Sequence, residues 1–340
     1  MRKHKYLQLL LIITCVIVIY NLYLSRSNII TREGCSQAIH NSQYKIVEES
    51  SLKALLRLCS NNSVNQNSFL REKMKTFICN QSPEFLNTSR PLVALASYPG
   101  SGNTWTRQLI ETATGYYTGS IYTDWNFVGS KECPMRRKIF IVKTHLKSNS
   151  SIGHPDCAKM AISQLNFSSA ICILRNPYNA FAAEFNRQHG VVDKTKDTHF
   201  NAGQGIAPEE IFRTTTWTSF VSREAYRWKD MALYWIQNTN IPAYVLVYEK
   251  LFENTVLETS HLMTFLNFSV TYNSLYCLSS NKNRRFKRII PKWLTNDYIY
   301  NNKLRRIVNK VIDMVKITIG TERKLTDVLN SYHLPIDDKS

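Results

Sequence analysis

The chain has 340 residues, 44% of them apolar and 20% charged, and its 43 Lys and Arg against 25 Asp and Glu leave a net charge of +18. Such a composition excludes an intrinsically disordered chain and supplies enough apolar surface for a sizeable core. The positive charge suits acidic ligands or acidic surfaces, and the lack of any recognisable nucleic-acid-binding module sets nucleic acid aside as a partner.

The N-terminus opens on a basic run, Met1-Arg2-Lys3-His4-Lys5. Residues from Tyr6 to Leu24 are then nearly all apolar, about the length of one membrane span. Positive charge before the span keeps that end in the cytosol. The expectation is a cytoplasmic tail over 1–6, a transmembrane signal anchor over 7–24, a luminal stem over 25–90 and a main domain over 91–340. A cleaved signal peptide is the alternative to the anchor. N-x-[ST] sequons at Asn61, Asn80, Asn87, Asn149, Asn166 and Asn267 agree with a secretory address, and so does an even set of cysteines: Cys35, Cys59, Cys79, Cys133, Cys157 and Cys277. Sequence alone leaves their pairing open. Cys15 falls in the span and Cys172 in a buried strand.

From Leu92 onward, short apolar runs alternate with helical patterns, the signature of an α/β fold with a parallel sheet. The strands are expected at Leu92–Ala96, Ile139–Lys143, Ala170–Leu174 and Tyr244–Tyr248. Helices are expected around 104–114, 177–188, 208–222, 225–238, 254–266 and 301–316. Trp217, Trp228 and Trp235 fall on these helices as core residues. In such sheets ligands bind beyond the carboxyl ends of the strands, so the residues that follow each strand are the ones to read.

The first strand runs into Pro99-Gly100-Ser101-Gly102, and a helix opens at Asn103 or Thr104. Strand, glycine turn and helix N-terminus make an anion site, because backbone N–H groups and the positive end of the helix dipole meet there. A P-loop kinase would need Lys after the last glycine, and Asn103 stands there instead. The second strand ends in Lys143-Thr144-His145, and the third in Arg175-Asn176-Pro177. Arg175 is suited to a second phosphate and His145 to removing a proton from a hydroxyl. No metal-ligand cluster is visible, so no metal is expected. On the helix after Arg175, Glu184 and Arg187 share a face and can pair with each other or reach an acceptor.

The ordered motifs YPGSGNTW, KTH and RNP resemble the sulfotransferases that use 3′-phosphoadenosine 5′-phosphosulfate. The longer stretches PGSGNTWTRQLIETATGYYTGS, IVKTH, LRNPYNAFAAEFNR and RRFKR are similar to the catalytic domain of the WSC-domain-containing sulfotransferases, a group that includes sialate O-sulfotransferases of the Golgi. The stem is too short for the WSC modules themselves. This resemblance implies a P-loop-like parallel sheet flanked by helices. It implies sulfuryl transfer from 3′-phosphoadenosine 5′-phosphosulfate to a glycan hydroxyl, with sialic acid as one candidate acceptor, by a single-pass type II protein of the Golgi membrane. Gly100, Ser101, Gly102, Asn103 and Thr104 would cradle the 5′-phosphosulfate, Trp105 would face the adenine, and Arg175 with Arg285, Lys287 and Arg288 would hold the 3′-phosphate. Lys143 and His145 would be catalytic, His145 as general base. Two departures stand out: Gly100 and Ala183 occupy positions where many members carry Lys and Ser. They keep open a non-catalytic, membrane-anchored binding protein as an alternative, with a P-loop kinase behind it.

Overall fold

The computed structural model describes Cys79 and residues 82–122, 124, 127–145, 151–154, 157–191, 205–237, 241–271, 274, 277–278, 290–319 and 323–336. The expected anchor, most of the expected stem and the basic residues Arg285, Lys287 and Arg288 lie outside the described residues. Among the described residues no helix is long and apolar enough to cross a membrane. The chain divides into two compact units, Met1–Asn80 with Ser269–Cys277, and Gln81–Phe268 with Leu278–Ser340. In the first, Cys79 and Cys277 form a disulfide. The second carries everything that follows, including a Cys133–Cys157 disulfide and the buried free thiol of Cys172.

Its strands are β1 (Val93–Ser97), β2 (Gly119–Ser120), β3 (Ile141–Thr144), β4 (Ser151–His154), β5 (Cys157–Ala161), β6 (Ser169–Leu174) and β7 (Ala243–Val247). Five of them form a sheet in the order β2-β3-β1-β6-β7, and every pairing within it is parallel. β4 and β5 form a separate antiparallel hairpin that the sequence patterns did not announce. All five residues of β1 are buried, which is why a central parallel strand reads as an unbroken apolar run. β2 and β3 lie to one side of β1, β6 and β7 to the other. The strand order therefore reverses at β1, and the crevice beyond its carboxyl end is where such a sheet can take a ligand.

The helices are α1 (Asn103–Thr114), α2 (Pro177–His189), α3 (Thr215–Ile236), α4 (Tyr248–Glu253), α5 (Thr255–Phe265), α6 (Asn296–Ile299), α7 (Asn302–Ile319) and α8 (Arg323–Ser331). Asn176 caps α2 by accepting from the Tyr178 N–H at 3.0 Å, and Pro177 fills the first turn, where its missing N–H costs nothing. Phe181, Phe185, Trp217, Trp228, Val308 and Ile312 interlock α2, α3 and α7 in the largest core cluster. Trp217, Trp228 and Trp235 are all fully buried, as expected of core residues. The two helices expected over 208–222 and 225–238 are in fact one, α3, preceded by a short 3-10 turn at Glu209–Arg213. The expected boundary, at Arg223 and Glu224, falls inside the helix. Glu224 turns inward, 1% exposed, and accepts from the Tyr98 hydroxyl at 2.8 Å, so the helix continues through it.

Candidate active site

The turn after β1 is built around two glycines in the left-handed region, Gly100 at φ 77° and Gly102 at φ 92°. A Cβ on Gly100 would lie 2.6 Å from the Ala180 carbonyl and 3.0 Å from the Glu184 N–H nitrogen. The turn is thus seated directly on the backbone of α2, and the Lys found at this position in many sulfotransferases has no room here. Gly100→Ala is accordingly expected to cost about 1–3 kcal/mol, from left-handed strain and overpacking together. A thermal melt checks this, and a midpoint equal to that of the parent protein would overturn it. Gly102 precedes α1 with no side-chain cap and no acidic residue in the first turn, so the N-terminal N–H groups keep their positive end for a ligand.

Around that turn three buried polar atoms have no hydrogen-bond partner among the described residues: Ser101 Oγ, Arg175 Nε and Asn103 Oδ1. The first two are donors, and oxygens of an anionic ligand would satisfy both. Arg175 also donates through Nη1 to the Gly100 carbonyl at 2.5 Å, and its guanidinium lies 4.3 Å from the centre of the Tyr248 ring. Tyr248 in turn meets Trp105 edge-to-face at 5.8 Å, leaving Trp105 only 8% exposed. The Asn103 amide is committed to the strand end: Nδ2 donates to the Leu95 carbonyl at 3.0 Å and to Ser97 Oγ at 3.2 Å. That leaves its backbone N–H, at the start of α1, as the group turned to the end of the helix. Thr104 is half-buried in the first turn of α1.

His145 follows β3 and closes against the end of β1. Its Nδ1 lies 2.8 Å from the Ser97 carbonyl and 3.2 Å from Ser97 Oγ. A carbonyl only accepts, so Nδ1 carries the proton and Nε2 keeps the lone pair a base needs. The Tyr122 ring stacks on the imidazole at 5.6 Å, and the Tyr122 hydroxyl accepts the His145 N–H at 3.1 Å. Burial, reinforced by the charge of Lys143, pushes the imidazole down to about 3, so it is neutral through the physiological range.

Lys143 sits two residues before His145, its Nζ 2.9 Å from Asp124 Oδ2. The same oxygen accepts from Arg107 Nη1 at 2.9 Å. Arg107 is fully buried and makes three further bonds, at 2.8 Å each, to Thr118 Oγ1, the Thr118 carbonyl and Ser130 Oγ, while Phe127 covers its guanidinium at 3.8 Å. Burial would raise the Asp124 carboxyl, but Lys143 and then Arg107 outweigh it and hold it below the ordinary range. Burial lowers Lys143, and Asp124 opposes that shift. Burial likewise brings Arg107 down to about 10. Ser97, Tyr122 and Asp124 carry no motif, and the stretch that contains Arg107 assigns it no role; only the folded chain brings them to the Lys-Thr-His strand end.

Two buried carboxylates act on Tyr98, beside the turn. Glu184 holds Arg187 bidentately, at 2.7 Å to Nε and 2.6 Å to Nη2. Glu224 accepts from Arg223 Nε and Arg227 Nη1, each at 2.9 Å. The carboxylates are buried while the Arg187, Arg223 and Arg227 side chains are 56%, 59% and 57% exposed. Arg187 is near enough to His145 to disfavour its protonation. Among the described residues no group of His, Cys, Asp or Glu is placed to hold a metal ion.

No family model matches the chain. It is similar to WSCD family member AAEL009094 of Aedes aegypti, 32% identical over 226 residues that make up 64% of each chain. It is also similar to WSCD family member GA21586 of Drosophila pseudoobscura pseudoobscura, at 34% over 60% of this chain and 59% of that one. A third, WSCD family member CG9164 of Drosophila melanogaster, is 34% identical over 58% of this chain and 57% of its own. These matches bear out the resemblance read from the motifs, and the chain spans less than two thirds of the length of each relative. Among solved structures it is similar to mouse sulfotransferase SULT7A1 complexed with PAP, at 16% identity over 77% of this chain and 95% of that one, TM-score 0.45. Retinol dehydratase in complex with androsterone and inactive cofactor PAP matches at 14% identity over 75% of this chain and 81% of its own, TM-score 0.33.

Proposed function

Because the chain is a relative of WSCD family members, we propose that it is a sulfotransferase, moving a sulfuryl group from 3′-phosphoadenosine 5′-phosphosulfate to a hydroxyl of a glycan. The observation that carries this reading is one sheet edge that joins an uncapped helix N-terminus and two orphaned donors, on Ser101 and Arg175, to a neutral histidine fixed with its Nε2 lone pair available. Those orphaned donors fit an anionic donor substrate, which supplies the sulfuryl group when bound. The N–H groups of Gly100 and of Gly102 to Thr104, with the Ser101 hydroxyl, hold its 5′ end, while the Ser101 N–H closes the turn on the Tyr98 carbonyl at 3.2 Å; Arg175 takes the 3′-phosphate, and Trp105 with Tyr248 lines the adenine side. His145 Nε2 accepts the proton of the attacking hydroxyl. Lys143 balances negative charge that develops on the transferring group, as positioned cations do in phosphoryl transfer. Arg285, Lys287 and Arg288 are carried in this proposal as further 3′-phosphate ligands.

The acceptor in this reading is an anionic glycan, a sialylated one among them. Exposed Arg187, Arg223 and Arg227 support that choice, since buried Glu184 and Glu224 hold their guanidinium groups in place. The site would lie on the luminal side of the Golgi membrane, behind the apolar segment at 7–24. Two disulfides support an oxidising compartment. Packing of Gly100 against α2 accounts for the missing lysine, which weakens the non-catalytic alternative.

Labelled sulfate transfer from the donor to matched sialylated and desialylated glycans, with and without EDTA, tests the reading. Transfer that persists in EDTA and favours the sialylated set by about tenfold, or ~1.4 kcal/mol, is expected. Donor binding with no transfer to any glycan would replace it with the non-catalytic reading, and phosphoryl transfer from ATP with the kinase.

A further inference from the structure

Two of the sequons, Asn166-Phe167-Ser168 and Asn267-Phe268-Ser269, share one local conformation. Both asparagines sit in the left-handed region, at φ 52° and 54°, a region asparagine tolerates better than most residues. Each donates its backbone N–H to the carbonyl three residues earlier, Asn166 to Ser163 at 3.2 Å and Asn267 to Thr264 at 3.1 Å. In both, the central phenylalanine packs inward: Phe167 edge-to-face on Trp235 at 6.1 Å, and Phe268 stacked on Phe140 at 5.0 Å. Each asparagine is left exposed at the surface of a turn that its own neighbour anchors.

Asn87, the third sequon among the described residues, is exposed as well. All three lie at the same edge of the sheet. Asn166 comes three residues before β6. Asn267 follows α5, where Phe268 meets Phe140 just ahead of β3 and Arg90 covers the Phe268 ring at 4.2 Å. Asn87 follows Leu86, whose N–H donates to the Lys138 carbonyl at 2.8 Å, also ahead of β3. These are the amino ends of the strands, whereas Ser97, His145, Arg175 and Tyr248 stand at the carboxyl ends. A five-residue strand separates the two edges by roughly 17 Å.

We propose that Asn87, Asn166 and Asn267 are N-glycosylation sites, and that the chain carries these glycans on the sheet edge opposite the candidate active site. In the modification the side-chain amide nitrogen bonds to the anomeric carbon of a lipid-diphosphate-linked oligosaccharide. The anomeric C–O bond breaks, the lipid diphosphate leaves, and the amide loses one proton. The modification precedes folding, so the folded chain must leave room for the product. Outward asparagines on anchored turns do so, and their placement keeps the glycans clear of donor and acceptor. This inference does not depend on the sulfotransferase reading.

The full chain, made in a eukaryotic secretory host, is treated with peptide N-glycosidase in ¹⁸O-water and mapped by mass spectrometry. Conversion of Asn87, Asn166 and Asn267 to ¹⁸O-labelled Asp is expected, and Asn166→Asp and Asn267→Asp, which keep a residue tolerant of the left-handed region, should each remove one step from the glycoform ladder. Binding of adenosine 3′,5′-bisphosphate should be unchanged after deglycosylation. Unmodified peptides at these three positions, whether or not other sequons are occupied, would overturn the proposal.

Discussion

His145→Ala is expected to leave binding of adenosine 3′,5′-bisphosphate within about twofold and to lower turnover by roughly 10²–10⁴, the usual contribution of a positioned general base. The separation of effects follows from the geometry. In the proposed reading the groups offered to the donor sit on the turn, the start of α1 and Arg175. The imidazole is fixed apart from them, by the Ser97 carbonyl on one side and the Tyr122 ring on the other. Its depressed pKa, about 3, is set by burial and by Lys143, and an arriving anionic donor offsets the Lys143 charge and restores proton affinity when it is needed. The free protein should therefore show no acid limb near pH 6.5 in kcat/KM, the ordinary position for histidine. Folding stability should fall as pH drops from about 6.5 towards 3, because the unfolded chain takes up a proton that the folded chain refuses. Turnover of the variant within threefold of the parent would remove His145 from the chemistry.

Much of the site could be read from strand ends. β1, β3 and β6 are mostly buried, and they and the half-buried β7 are strongly apolar, so their limits were visible to within one or two residues, and the turn, His145 and Arg175 follow from where those strands stop. β2 has only two residues and no apolar run of its own; it exists because Gly119 and Ser120 pair with Val142 and Lys143. α8 lies near the C-terminus beyond the last helix that the pattern announced. The pairing of Glu184 with Arg187 could be read from their shared helix face and is what the structure shows. What stayed hidden at the site is the other two carboxylates: Asp124 and Glu224 look like ordinary surface acids in sequence, and no spacing links Asp124 to Arg107, 17 residues earlier, or Glu224 to Tyr98, 126 residues earlier. Only tertiary packing turns them into anchors. Gly100 illustrates the converse. A departure that weakened the functional reading in sequence becomes, in the fold, the contact that lets the turn sit on α2.

Asp124→Asn should have the second large effect, and on two observables at once. Arg107 is fully buried and Asp124 is the carboxylate it bonds, so removing the negative charge leaves a buried guanidinium bonded only to neutral acceptors on Thr118 and Ser130, with Glu111, which bonds Thr118, as the carboxylate still acting on it. Breaking a buried pair from one side costs about 3–5 kcal/mol. For a unit of this size that lowers the melting midpoint by roughly 10 °C. Asp124 has a depressed pKa, so its stabilisation is present above about pH 4, its unfolded value, and is lost as pH falls through the folded value. The gap between parent and variant should therefore narrow in acid. Lys143 loses the Asp124 carboxylate that opposes the effect of burial on its charge, so the alkaline limb of the rate profile should move to lower pH. Asp124→Glu, which restores the charge on a longer arm, should recover the alkaline limb better than the melting midpoint. A purely structural Asp124 would lower the midpoint and leave the limb in place. An unchanged midpoint would mean that the Thr118 and Ser130 oxygens alone hold Arg107.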